Sequence, residues 1–281
     1  MVTPFAADGS LDLDEARRLA AHLVDVQHND ALVINGTTGE SPTTDDDEKL
    51  AMLQAVKAEV GDRALVLAGV GTNETAATIR RSRHAEQAGA DGVLVVTPYY
   101  SKPPVDALGE HFTMVADATT LPVMLYDIPG RSAIPIPEAT LIELAGHPRI
   151  VAVKDAKGDV VSSARVMAAT ELAYYSGDDA ATLPLLAVGG VGLVGTSTHF
   201  TGAATKRWLD LWSEGDAAGA LAAYRRLLGV YTGVFATQGC MLVKAGLAAR
   251  GFAPAVLRRP LKPAGPDQAE AFVRLLDEAG L

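Results

Sequence analysis

The chain has one cysteine, Cys240, so no disulfide can form within it; a reducing, cytoplasmic setting is expected. Basic residues are outnumbered by acidic ones, 24 to 34, and the net charge of −10 argues against general nucleic-acid binding. No apolar run is long enough to span a bilayer. The opening MVTPFAADGS lacks the basic and apolar segments of a secretory signal. The six histidines are scattered without HxxxH or a similar spacing, so neither a metal site nor a metal-dependent aldolase is expected. No low-complexity or Gly/Ser-rich linker divides the 281 residues, which suffice for a large core.

What is present is alternation. Short apolar runs occur at Ala31–Asn35, Ala64–Gly69, Gly92–Val96, Leu121–Tyr126, Ile150–Lys154, Leu172–Ser176 and Gly192–Gly195, with a stub at Val2–Thr3. Helix-period stretches separate them, beginning with Asp12–Gln27, where Ala16, Leu19, Ala20, Leu23 and Val24 share a face. Thr44 with Asp47 three residues on predicts a capped helix start. Eight such units predict an α/β fold, a (β/α)8 TIM barrel over residues 1–214. Three helices without strands follow, so residues 215–281 are expected to form a C-terminal helical appendage. Residues 190–195 spell GxGxxG, but they enter a strand instead of leaving one for a helix. Close packing, not nucleotide binding, is expected there.

In a barrel the chemistry lies at the carboxyl ends of the strands. Those ends carry Gly36-Thr37-Thr38-Gly39-Glu40-Ser41, Thr97-Pro98-Tyr99-Tyr100, Tyr126-Asp127-Ile128-Pro129-Gly130-Arg131, Lys154, and Ser176-Gly177-Asp178-Asp179. Lys154 ends a buried strand. It either reaches solvent, pairs with an acid such as Asp155, or gives up its proton and becomes a nucleophile for a carbonyl. The Thr37–Thr38 loop offers backbone N–H groups and hydroxyls to a carboxylate. A tyrosine can move protons when neighbouring hydroxyls relay them, and Arg131 can grip a second carboxylate. Together the set suits carbanion chemistry on a small keto acid, with no cofactor.

Five segments carry a resemblance: GTTGES at 36–41, TPYY at 97–100, YDIPGR at 126–131, VKDAKG at 153–158 and SGDD at 176–179. In order and spacing the whole chain resembles the 4-hydroxy-tetrahydrodipicolinate synthase (dihydrodipicolinate synthase) family of pyruvate-dependent Schiff-base aldolases. The resemblance implies condensation of pyruvate with aspartate semialdehyde, on the route to diaminopimelate and lysine. Lys154 would form the imine. Tyr126 would shuttle protons with Thr38 and Tyr100, the latter supplied by the neighbouring subunit of a tight dimer that pairs into a tetramer. Thr37 and Thr38 would hold the pyruvate carboxylate, Arg131 the carboxylate of the semialdehyde, and Gly177 and Val194 would line the pocket. Sialate lyases of the same superfamily usually have serine where Thr37 stands and lack an arginine matching Arg131. A sugar-acid aldolase and a catalytically idle keto-acid-binding homologue are the alternative readings.

Two departures from the family pattern stand out. Several residues normally precede the segment matching Met1–Phe5, so a short first strand is expected. In members regulated by lysine, a tyrosine, an asparagine, a glutamate and imidazoles line the effector cleft. Tyr99 and Asn73 match the first two, but Ala77 replaces the glutamate and Asp46 and Lys49 replace two histidines. Weak inhibition by lysine is therefore expected, with Lys49 adding a like charge to the cleft.

Overall fold

The computed structural model describes Met1–Leu281. Seven strands form one sheet in sequential order. They are β1 (Ala31–Ile34), β2 (Leu65–Gly69), β3 (Gly92–Val96), β4 (Val123–Asp127), β5 (Ile150–Asp155), β6 (Ala173–Ser176) and β7 (Gly192–Leu193). From β2 to β7 every neighbouring pair is parallel. The helices are α1 (Leu13–Ala21), α2 (Asp46–Val60), α3 (Thr75–Gln87), α4 (Val105–Asp117), α5 (Pro129–Ser132), α6 (Glu138–Leu144), α7 (Val160–Ala169), α8 (Thr182–Leu186), α9 (Thr198–Ser213), α10 (Ala217–Gly233), α11 (Gly239–Ala249) and α12 (Pro266–Glu278). This is the expected α/β alternation of the (β/α)8 class.

The stub at Val2–Thr3 is not a strand. Its hydrogen bonds are of another kind: the Met1 amine donates to the Val33 carbonyl at 2.9 Å, and the Val2 N–H donates to Nε2 of His199 at 3.1 Å. The cap expected at Thr44 is made one residue later. Asp45 accepts from the Glu48 N–H at 2.8 Å and its own N–H donates to the Glu48 carboxylate at 3.1 Å, a reciprocal capping box. α1 continues through a π-helical turn, His22–Val26, and α5, which carries Arg131, was not expected.

The chain divides into two compact units, Val66–Gly195 and Met1–Leu65 with Thr196–Leu281. In the first, strands β3 and β4 are buried almost throughout, as parallel strands covered by helices must be. α4 shows the covering principle. Leu108, His111, Phe112 and Val115 recur at helical spacing and are buried; burial of a side chain such as Phe112 contributes roughly 2–3 kcal/mol. Of the expected nucleotide-like glycines, Gly190 lies so close to Leu185 that a Cβ would come within 2.8 Å of its Cγ. Its role is packing. In the second unit, α9 and α10 are tied by Tyr231, whose hydroxyl accepts from Nε1 of Trp208 at 2.9 Å and meets the Thr205 hydroxyl at 2.8 Å. α12 is seated close enough that a Cβ at Gly233 would strike Leu275 at 2.3 Å.

Candidate active site

Strand register sets the centre of the unit formed by Val66–Gly195. Tyr126 on β4 is paired with Lys154 on β5, so their side chains leave the sheet on the same face. The Lys154 Nζ lies 4.2 Å from the centroid of the Tyr126 ring. Burial is the largest influence on this amine; Arg131 adds to it, Asp179 opposes it, and the pKa falls from 10.5 to about 8. Of the readings open for Lys154, a pair with Asp155 is not made, and the lowered pKa brings the neutral amine within reach near pH 8. Asp155, the acid beside it in sequence, leaves the strand on the other face, and its carboxylate accepts from Ser163 and from the Lys157 N–H.

Gly177 lies close beside the lysine: a Cβ there would come within 3.1 Å of Lys154 Cε and Cγ, so the side chain would have to shift by a few tenths of an ångström. Val194 donates its N–H to the Ser176 carbonyl at 2.8 Å, one residue before Gly177. Arg131 is exposed on α5, with its backbone N–H bonded to Ile128 at 2.9 Å. Thr97 holds the neighbouring strand end: its N–H and its hydroxyl both donate to the Tyr126 carbonyl, each at 3.0 Å. Tyr100 stands apart from this group. It is 89% exposed and adopts φ +73°, a conformation that costs a non-glycine residue of order 1–3 kcal/mol.

Thr37 and Thr38 belong to the other compact unit. Their loop is a tight turn in which the Gly36 carbonyl accepts from the N–H groups of Gly39 at 3.0 Å and Ser41 at 3.3 Å. Glu40 follows in the left-handed region, φ +56°. The Thr38 hydroxyl lies 3.3 Å from that of Thr196. Thr196 was missed by the sequence reading, although it stands directly after the last apolar run, where a hydroxyl could have been weighed.

Two further residues were quoted only as parts of motifs. Asp127 and Asp155 each follow a catalytic candidate by one position, and strand alternation turns them to the opposite face. Asp127 is buried, accepts the Ile136 N–H at 3.1 Å and faces Lys157 Nζ at 3.7 Å. Burial dominates and raises its pKa to about 6. Lys157 itself donates to the Ser162 hydroxyl at 2.9 Å. Lys49 is buried, and its ammonium donates to the carbonyls of Ser41 and Thr44 and to the Thr44 hydroxyl; these neutral acceptors fix its place in its own loop and leave its charge intact.

Comparison with known proteins matches residues 1–279 to the model of the Dihydrodipicolinate synthetase family. The chain is 59% identical to the 4-hydroxy-tetrahydrodipicolinate synthase of Cutibacterium acnes, covering 100% of this chain and 96% of that protein. Its structure is similar to that of dihydrodipicolinate synthase from Cyanidioschyzon merolae with lysine bound, with TM-score 0.97, 37% identity, and coverage of 100% and 96%. It is also similar to the chloride-inhibited enzyme from Acinetobacter baumannii complexed with pyruvate, with TM-score 0.96, 30% identity, and coverage of 100% and 97%. Matched along nearly its whole length in sequence and in backbone, the chain belongs to the dihydrodipicolinate synthetase family.

Proposed function

We infer that this chain is a lyase that condenses pyruvate with L-aspartate 4-semialdehyde through a lysine Schiff base, giving 4-hydroxy-tetrahydrodipicolinate for diaminopimelate and lysine biosynthesis. The observation that carries the reading is the Lys154 amine, depressed in pKa and stacked over Tyr126. The neutral amine attacks the pyruvate carbonyl carbon, and loss of water leaves an imine. The imine draws electrons from the methyl carbon, which sheds a proton to become an enamine; that carbon then attacks the aldehyde of the second substrate, and the semialdehyde's amino group adds to the imine carbon, displacing the Lys154 amine and closing the ring. Tyr126, Thr38 and Tyr100 carry the protons. Thr37 and Thr38 hold the pyruvate carboxylate, Gly177 and Val194 bound its pocket, and Arg131 receives the carboxylate of the semialdehyde as a charge-assisted pair. No cofactor or metal takes part.

Tyr100 supports a subunit-crossing site. A phenol that is 89% exposed on a strained backbone gains packing only from outside its own chain. We take the enzyme to be a tight dimer that pairs into a tetramer, working in the cytoplasm. The deciding experiment is turnover with pyruvate plus aspartate semialdehyde, set beside pyruvate plus N-acetylmannosamine. Faster turnover of the second pair would assign the chain to sugar-acid chemistry; none with either would make it a binding protein.

A further inference from the structure

Within the unit formed by Met1–Leu65 and Thr196–Leu281, the most heavily bonded cluster of charges lies behind the Thr37–Thr38 loop. Glu40, the residue that closes the loop in a left-handed conformation, is 2% exposed. One of its carboxylate oxygens accepts from Lys244 Nζ at 2.5 Å and the other from the Arg258 backbone N–H at 3.1 Å. Lys244 is 5% exposed; it also donates to the Val256 carbonyl at 2.7 Å and lies 4.4 Å from the Phe5 ring centroid. Arg258 covers the same ring at 4.3 Å. All five of its N–H donors are engaged: two with the Glu48 carboxylate at 2.6 Å each, two with the Gly9 carbonyl, and one with the Thr43 carbonyl at 2.8 Å. Two cations from the C-terminal region thus seize Glu40 and Glu48, one on each side of the turn Ser41–Thr43.

A buried ion pair is a poor source of stability, because desolvation consumes most of the Coulomb attraction. Its geometry is nevertheless strict, since a carboxylate bonded at both oxygens cannot rotate. The backbone carrying Thr37 and Thr38 is anchored to that carboxylate by the Glu40 N–H donating to the Thr37 carbonyl at 3.2 Å. We propose that Lys244 and Arg258 are positioning residues for pyruvate, acting through Glu40 and Glu48 on the loop that carries Thr37 and Thr38. The proposal rests on the reading of that loop as the carboxylate cradle. It gives α11, which carries Lys244, and the segment after it, which carries Arg258, an indirect part in substrate binding.

The test compares Glu40→Gln, Lys244→Met and the double variant with wild type. Thermal midpoint, borohydride-trapped pyruvate adduct against pyruvate concentration, and KM for each substrate are measured. Wild type speaks for the underlying reading: with no adduct and no turnover, reading and proposal fall together. Given wild-type activity, each single variant strands a buried charge or donor. Its thermal midpoint drops and its pyruvate half-saturation rises between about tenfold and about a hundredfold, as for a catalytic geometry disturbed from a distance. KM for the semialdehyde stays within about twofold. In the double variant no unpaired charge remains, so the midpoint recovers while pyruvate half-saturation stays raised. Recovery of both together, an equal rise in both KM values, or unchanged pyruvate binding would overturn the proposal. If the single variants do not fold, Arg258→Lys keeps the charge but cannot span three acceptors; the same selective loss for pyruvate is expected, and its absence is equally fatal.

Discussion

Asp127 and Asp155 stand opposite each other on β4 and β5, one step beyond the paired Tyr126 and Lys154. The two catalytic candidates and the two carboxylates therefore occupy opposite faces of the same two strand ends. The carboxylates are buried, and only one of them is well bonded. Asp155 accepts from Ser163 and from the Lys157 N–H at 2.8 Å, whereas Oδ2 of Asp127 has no hydrogen bond.

That asymmetry makes stability depend on pH. The folded pKa of Asp127, about 6, lies above its unfolded value of 3.8. Its contribution is fully present below pH 3.8 and is lost as pH rises through 6. Asp127→Asn keeps the shape and the acceptor for Ile136 but removes the charge. The variant should exceed wild type in stability at pH 7.5 by up to roughly 3 kcal/mol, with the advantage gone below pH 4. Urea denaturation at the two pH values reads this difference; an equal difference at both would place the effect in packing.

Lys154 should carry the pyruvate adduct. After borohydride trapping, mass spectrometry is expected to find it there and not at Lys157 or Lys244, both already bonded. The rate of adduct formation should climb with pH, reach half its maximum near 8, where half of the amine has lost its proton, and level off above that. Lys154→Arg should fold normally and lose nearly all turnover. A flat profile from pH 6 to 9 would contradict the assignment of a depressed lysine.

Arg131→Ala removes one charge-assisted contact, on the order of 1.5–3 kcal/mol. KM for aspartate semialdehyde should rise about tenfold or more, while pyruvate adduct formation stays largely intact. Equal damage to both substrates would make Arg131 a structural residue.

Tyr100→Phe and Lys154→Ala, each inactive alone, should regain part of the activity when their subunits exchange. A mixed dimer would hold one site with both defects and one with neither. Proven exchange without recovery would mean that Tyr100 serves its own chain.

Lysine should inhibit weakly. Ala77 is a buried residue with no carboxylate for the ligand's cation, and Lys49, held by the neutral acceptors of Ser41 and Thr44, keeps a charge of the same sign as that cation. Initial rates at subsaturating pyruvate measure the effect; strong inhibition at submillimolar lysine would point to a cleft built from other residues.

The limits of the sequence reading follow from what periodicity encodes. Alternating apolar runs gave every strand from Ala31 onward, because parallel strands buried on both faces leave a continuous apolar mark. They also placed Lys154 at a strand mouth. The stub at Val2–Thr3 failed because the bonds there run from the Met1 amine to the Val33 carbonyl and from the Val2 N–H to an imidazole instead of forming a ladder. The Glu40–Lys244 pair was invisible for a different reason: its members lie 204 residues apart, and no local pattern records so distant a contact. Thr196 had a local signal, its place after the last apolar run, but its contact with Thr38 spans 158 residues. Lys49 was placed by resemblance alone; that its ammonium is held by the carbonyls of Ser41 and Thr44 is a contact of the fold that no sequence pattern marks.

Strand pairing is uneven around the sheet. β4 and β5 are matched at five positions, β6 and β7 at two. Local opening draws on the weakest pairing, so the backbone amides of β7 should exchange with solvent long before those of β5. The lysine and its tyrosine thus sit on the more fully matched of these two pairings, and Val194 follows the shortest strand. With Lys154 as the imine lysine and Val194 as a pocket wall, as proposed, substrate entry is expected to displace the Val194 side and to leave the amine in place.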